Sequence, residues 1–353
     1  MYSFPRRVFV STTKHSTMSN RLSILRRATG VMRMKFFLAF IVMLILSSVL
    51  AACGNSGSAN GSKQLVVGED NLGLSFPFPA AISRGIKAEA AKLGVKLIEL
   101  DAQNSADKES NDVQDLIAQH ADGILLLPLD AGLAQQLVDK IANANITVMA
   151  VASVVGKDRA PSDVYPKLAA LITQDELKAG AQAAQLALQA LPNGGKVAIV
   201  EGQAGFAEVQ LRQQEFRSTL AQHPGFSIVA SQPGDWVPDK GQAACANMLQ
   251  AHPDIRLFYA ESDDMGVGCS KAIIAAHSQA QVIGIGGSKL GIDAIKSGQL
   301  LGTVCYKPVD MGKLAMDAIY NQLTGKQHYQ HEFLSYNTPA VTKTNIDQCD
   351  PQW

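Results

Sequence analysis

The chain is 353 residues long and 47% apolar, and its 31 Lys and Arg balance 31 Asp and Glu to a formal net charge of zero. The balance is uneven: residues 1–52 hold eight basic and no acidic residues, leaving 23 against 31 in the remainder, a net charge of −8. That acidic body, about 290 residues, has room for two ordinary domains and excludes nucleic acid as a partner, because phosphates demand a basic face.

Phe36 to Ala52 is a run of 17 uncharged residues with only two serines, preceded by Arg33 and Lys35. A basic start, an apolar middle and small residues at the end make a secretory signal. The run is marginal for a transmembrane helix, which needs about 20 apolar residues. It stops at Leu50-Ala51-Ala52-Cys53, which resembles the lipobox of bacterial lipoproteins. The resemblance implies that Cys53 is lipid-modified, becomes the first residue of the mature chain, and anchors it to the cell membrane, facing the periplasm or the cell exterior. Several acyl chains on one residue suffice for stable anchoring. Residues 34–52 are thus read as a lipoprotein signal peptide, and 53–63, rich in Gly, Ser and Asn, as a flexible tether. Residues 1–33 are basic and unpatterned and are read as an over-extended start, with translation beginning at Met34 or Met32.

Beyond the tether, short apolar runs alternate with amphipathic segments. Strands are predicted at 65–68, 95–100, 123–127 and 146–152. After a polar break over 155–165 more follow at 168–172, 196–201, 226–230, 256–260, 281–286 and 300–304. Several are apolar throughout, as strands covered on both faces are. The first helix carries Ile82, Ile86, Ala90 and Leu93 on one face and stops at Gly94. Further helices are predicted over 106–119, 133–144, 175–191, 207–222, 240–250, 265–277 and 311–323. Such alternation implies parallel sheets, and ten strands with a break imply two of them. The fold class is therefore α/β, two doubly wound parallel-sheet lobes whose strand ends face a cleft, where open sheets bind ligands.

Four cysteines lie in this body, and an exported chain meets an oxidising compartment. Three full pairings are open. Cys245 and Cys269 stand on successive predicted helices and form the favoured pair.

Taken in order, several short segments resemble ribose-type periplasmic binding proteins. They are Leu74-Ser75-Phe76-Pro77-Phe78, Asp101-Ala102-Gln103-Asn104, Asp122-Gly123-Ile124-Leu125-Leu126, Leu249 to Asp254, Ser262-Asp263-Asp264-Met265 and Val282-Ile283-Gly284. The match spans Leu65 to Thr344. It implies the substrate-binding subunit of an ABC importer, with two lobes joined by a three-crossover hinge. Crossovers are expected near 171–173, 305–307 and 333–336. The N-terminal lobe is then 64–171 plus 306–332, and the C-terminal lobe 172–305 plus 333–349. The partners implied are a small-molecule ligand and an ABC permease, or alternatively a chemoreceptor or sensor kinase, and the protein reads as a monomer without a cofactor.

At the positions where this family holds sugars with charged or amide side chains, the sequence has Phe76, Leu127, Ala152-Ser153, Gln210, Ser262, Gly286 and Tyr306. Aromatic residues remain at Phe76, Phe78, Trp236 and Tyr306. The expected binding set is Asp70, Ser75, Phe76, Phe78, Ser153, Gln210, Trp236, Ser262, Asp263 and Tyr306. Each aromatic has core packing as its plain alternative, and Asp263 has helix capping. The expectation is a pocket more apolar and less charged than a pentose site, taking a sugar or sugar-like molecule, with an amine-bearing ligand as a variant.

An enzyme is not expected. There is no GxSxG or HExxH, the GIGGSK loop at 284–289 lacks P-loop spacing, and His328 and His331 read as surface residues. A repressor of the same fold is excluded because a signal segment occupies the place of its DNA-binding helices.

Overall fold

A computed structural model describes residues 63–353. Cys53, the signal segment and nearly all of the tether lie outside the described residues.

The continuous apolar runs form central strands. GILLL is β3 (Gly123–Leu127), with all five residues buried. With β1 (Val66–Asn71), β2 (Lys96–Asp101), β4 (Thr147–Val151), β5 (Ala170–Ile172) and β11 (Glu332–Leu334) it makes one six-stranded sheet, in the order β11-β5-β4-β3-β1-β2. The second sheet has the order β12-β10-β9-β8-β6-β7. Its strands are β6 (Gly195–Glu201), β7 (Phe226–Pro233), β8 (Ile255–Ala260), β9 (Gln281–Gly286), β10 (Gly302–Cys305) and β12 (Ala340–Thr342). All pairings are parallel except β10 with β12. In both sheets the first strand lies between the second and third, so each lobe has a switch point, beside β1 in one and β6 in the other.

The polar segment over 155–165 is a loop but does not separate the sheets. β5 follows it and pairs with β4, so the first sheet continues to Ile172. The chain then passes to the second sheet, returns after β10, and passes once more between β11 and β12.

Nine helices are described: α1 (Pro77–Leu93), α2 (Ala106–Ala118), α3 (Ala131–Asn143), α4 (Glu176–Ala190), α5 (Ala207–Ala221), α6 (Pro238–Ala251), α7 (Asp263–Ala275), α8 (Lys289–Ser297) and α9 (Pro308–Thr324). Local chemistry sets their ends. Proline opens α1, α6 and α9, where a missing N–H costs nothing. Side chains of Ser105, Asp130, Asp175, Ser262 and Ser288 accept from first-turn N–H groups, satisfying donors the helix leaves free. Gly94 ends α1 at φ 71°, a left-handed turn that glycine adopts without strain. No helix among the described residues is long and apolar enough to cross a membrane.

Two disulfides close the second lobe. Cys245 on α6 is bonded to Cys269 on α7, and Cys305 at the end of β10 is bonded to Cys349.

Candidate functional site

The two sheets present their carboxyl ends to a shared cavity of about 310 Å³, at the small end of the roughly 300–1,000 Å³ range of small-molecule pockets. Its walls come from positions just past the strands: Leu72 after β1, Ala152 and Ser153 after β4, Gln203 after β6, Glu261 and Ser262 after β8, Gly286 at the end of β9 and Tyr306 after β10.

One wall is built by the first lobe from Leu72, Phe76, Pro77, Phe78, Pro79 and Ile82, with Ala152 and Ser153. The loop that opens α1 supplies most of it. The Phe76 N–H donates to the Gly73 carbonyl, turning the chain so that successive aromatic and proline residues meet the cleft.

The opposite wall mixes rings such as Phe206 and Trp236 with the cavity's charged groups. Arg212, on α5 and 6% exposed, donates through Nε to Glu176 Oε2 at 2.6 Å and through Nη2 to Glu176 Oε1 at 2.9 Å. Its Nη1 donates to the Glu261 carbonyl at 3.0 Å. Its guanidinium lies over the Tyr306 ring at 5.3 Å and the Trp236 ring at 5.7 Å, an arrangement favourable to a cation. Burial opposes this charge, but Glu176 and the surrounding groups outweigh it and hold the guanidinium above its ordinary value. Tyr306 and Gln174 also donate to Glu176, and Tyr336 donates to Gln174 at 3.0 Å. One buried carboxylate thus ties together the first crossover, α5 and the second crossover.

The other carboxyls are held differently. Desolvation raises Glu261 to about 8 and Glu208 to about 7, with Arg212 opposing both shifts. Asp264 is also raised by burial. The Gly202 N–H donates to Glu261 Oε2 at 2.7 Å, while Glu261 Oε1 is buried without a partner. Both shifts favour the neutral form around pH 7.

The lobes meet across the cavity. Ser153 Oγ donates to Glu208 Oε2 at 3.1 Å. Leu72, Ala102 and Leu129 of the first lobe pack with Phe206 and Val209 of the second. Ala152 (φ 72°) and Trp236 (φ 63°) border the cavity in left-handed backbone conformations, which side chains other than glycine rarely adopt and which concentrate at functional sites.

Of the residues expected at the site, Phe76, Phe78, Ser153, Trp236, Ser262 and Tyr306 line the cavity, and Asp70, Ser75, Gln210 and Asp263 do not. Asp70 is fully buried on the face of β1 that packs toward α2, near Glu109 and Asp112. Ser75 and Gln210 are exposed. Asp263 accepts from Thr303 Oγ1 at 2.6 Å and from the Ser288 N–H at 2.8 Å, anchoring the start of α8. Cap duty falls to its neighbour Ser262. Charged and amide groups do reach the cavity: Arg212, Glu208, Glu261, Asp264, Gln174 and Gln203 line it, from positions other than those compared. Arg212 replaces Gln210 two residues further along α5, where the helical turn brings it inward. Phe206 and Trp353 were not anticipated. No group of three or more potential metal ligands clusters among the described residues.

Two doubly wound lobes with a cleft at their strand ends define a bilobal ligand-binding protein. The family model for a periplasmic binding protein domain matches residues 73–327, and the chain belongs to the periplasmic binding proteins, of the ribose type. The ribose import binding protein of Bacillus subtilis (strain 168) is 32% identical over 82% of this chain and 94% of its own length. The xylitol-binding protein of Mycolicibacterium smegmatis is 26% identical over 84% of this chain and 83% of its own. Among solved structures, a solute-binding protein of a Mycobacterium smegmatis ABC transporter with bound glycerol superposes with a TM-score of 0.74 at 27% identity, covering 81% of this chain and 96% of that one. The Caulobacter myo-inositol binding protein bound to myo-inositol gives 0.73 at 25%, covering 82% and 97%.

Proposed function

We propose that this chain is the substrate-binding component of an ABC importer and captures a small polyhydroxylated molecule, a monosaccharide or polyol. The observation that carries the reading is one small cavity in which apolar rings from both lobes stand beside charged and amide groups of the second lobe. A sugar or polyol has the matching character, C–H faces for rings and hydroxyl edges for charged and amide groups. The relatives named for ribose and xylitol, and the structure holding myo-inositol, support this class. An amine-bearing ligand fits less well. The cavity's carboxyls are shifted toward their neutral forms, and the fixed charge among them is a guanidinium.

Contacts from both lobes exist together only in the closed arrangement, so a ligand shifts the hinge equilibrium toward closure. The closed form then docks on a permease. Cys53 is the membrane anchor of this arrangement, and the lobes act as a monomer without catalysis. The reading is tested by isothermal titration of the full exported chain with D-ribose, xylitol, myo-inositol and choline. Micromolar or tighter binding of a polyhydroxylated probe supports it, and binding of choline alone overturns it. Metabolic acyl labelling checks the anchor: label carried by the natural chain and lost in Cys53→Ser is the expected result.

A further inference from the structure

The segment after Cys349 leaves the second lobe and enters the cleft. Cys349 belongs to the core of that lobe and is bonded to Cys305 at the last residue of β10, directly before Tyr306. The chain then touches both lobes. Arg84 of α1 donates to the Gln352 carbonyl at 2.9 Å, and the Asp310 N–H of α9 donates to Gln352 Oε1 at 3.2 Å. The Lys289 N–H at the start of α8 donates to the Trp353 carbonyl at 2.8 Å. The Trp353 indole is thereby brought to the cavity wall, edge-on to Phe78 at a centroid distance of 5.3 Å. It lies so close to Gly286 that a Cβ there would stand 2.8 Å from its ring.

Two cavity-lining residues carry a buried side-chain atom with no partner, Glu261 Oε1 and Trp353 Nε1. An indole N–H only donates, and leaving it unpaired away from water is costly. A hydroxyl both donates and accepts, so a ligand with hydroxyls can satisfy both orphaned atoms.

We infer that Trp353 is a ligand-binding residue: its indole forms one wall of the site and its Nε1–H donates to a ligand hydroxyl, held in place by a strap that the Cys305–Cys349 disulfide clips to the second lobe. This rests on the proposed polyhydroxylated ligand and adds a recognition element. On opening, the strap travels with the second lobe, because its covalent clip and core contacts are there. Its contacts to Arg84, Asp310 and Phe78 are the ones that part.

Both tryptophans of the chain, Trp236 and Trp353, line the cavity, so fluorescence reads the site directly. In Trp236→Phe the remaining emission comes from Trp353. It should be blue-shifted and poorly quenched by acrylamide without any ligand, and should move toward red, readily quenched emission in the added double variant Cys305→Ser/Cys349→Ser. Emission that is fully quenched from the outset overturns the inference. The full chain is also titrated with D-ribose, xylitol and myo-inositol. Whichever probe binds should change Trp353 emission, and Trp353→Phe, which keeps a ring and removes the donor, should weaken its binding about fivefold to tenfold, as loss of one hydrogen bond in a desolvated site does. Unchanged affinity in Trp353→Phe overturns the inference while leaving the importer reading intact. Failure of the unsubstituted chain to bind any of the three overturns the ligand class, and the quenching experiment then decides whether Trp353 is a wall of the cavity.

Discussion

The two walls of the cavity are made by lobes of the same architecture, with the same strand order, and yet they differ in chemistry. The first lobe contributes rings, prolines and aliphatic chains, with Ser153 as its polar group. The second contributes rings too, Phe206, Trp236 and Trp353, but adds Arg212, Glu208, Glu261, Asp264 and Gln203, braced from beneath by Glu176. The difference implies a division of labour. The second lobe holds a preorganised charged network that can recognise polar groups while the cleft is open. In the proposed closure the first lobe removes water over it and so strengthens every electrostatic contact beneath.

The comparison breaks most visibly at Arg212. Replacing it with Ala strands Glu176 in the protein interior, and breaking a buried pair in this way costs about 3–5 kcal/mol. Urea denaturation should show that loss together with loss of ligand binding, whereas a loss below about 1 kcal/mol would mean the second lobe does not depend on this network.

Next comes a test that sets a carboxyl of the first lobe's core against those of the site. Asp70 is raised to about 9, Glu261 to about 8, and Glu69, Glu109 and Glu208 to about 7, in each case chiefly by burial. Between the ordinary carboxylate range and these values the folded state binds more protons than the unfolded one. Stability therefore falls as pH rises from about 5 to 9. The denaturation midpoint should decline over that interval, and Asp70→Asn should flatten the decline above pH 7 while leaving ligand affinity unchanged. A midpoint that rises with pH would contradict the assignment.

A smaller effect is expected at Gly180 of α4. A Cβ there would lie 2.1 Å from the Arg212 carbonyl, so the glycine permits α4 and α5 to approach closely enough for Glu176 to meet Arg212. Gly180→Ala should cost about 1–3 kcal/mol by overpacking and should weaken binding as well, since the displaced backbone carries a site residue. Its thermal midpoint and its titration check both.

The smallest concerns the bond that joins the two walls. Ser153→Ala removes the donor to Glu208, worth about 0.5–1.5 kcal/mol. The loss should appear in the ligand dissociation rate, since in the proposed mechanism the bond joins the lobes only when they are closed. A change confined to stability would place its role elsewhere.

Much of the scaffold is legible in the residues. The run GILLL and the period of Ile82, Ile86 and Ala90 are local signals, and the strands and helices they predict are formed with ends moved by a few residues. β11 and β12 escape because each is short and only partly buried, without the continuous apolar run that marks the equally short β5, and α8 follows the glycine turn with little warning beyond its cap, Ser288. Part of the site is legible for a related reason: Ser153 and Tyr306 lie just beyond strand ends, where the topology directs side chains to the cleft, and Phe76 and Phe78 sit at the start of α1, which opens on the same cleft. Asp70 sits one step earlier, within β1, where alternation turns it to the other face of the sheet.

The alternation of apolar runs and amphipathic helices by itself determined two doubly wound lobes with a cleft at their strand ends, because hydrophobic period is a local property that each segment carries alone. Only the tertiary structure decided the charge of that cleft. Glu176 and Arg212 are 36 positions apart and meet because two helices approach across a glycine. Trp353 lies far from every other cavity residue in sequence and arrives because a disulfide and three hydrogen bonds lead the chain back between the lobes. Such meetings depend on where separate elements cross, and no pattern within either partner encodes the crossing.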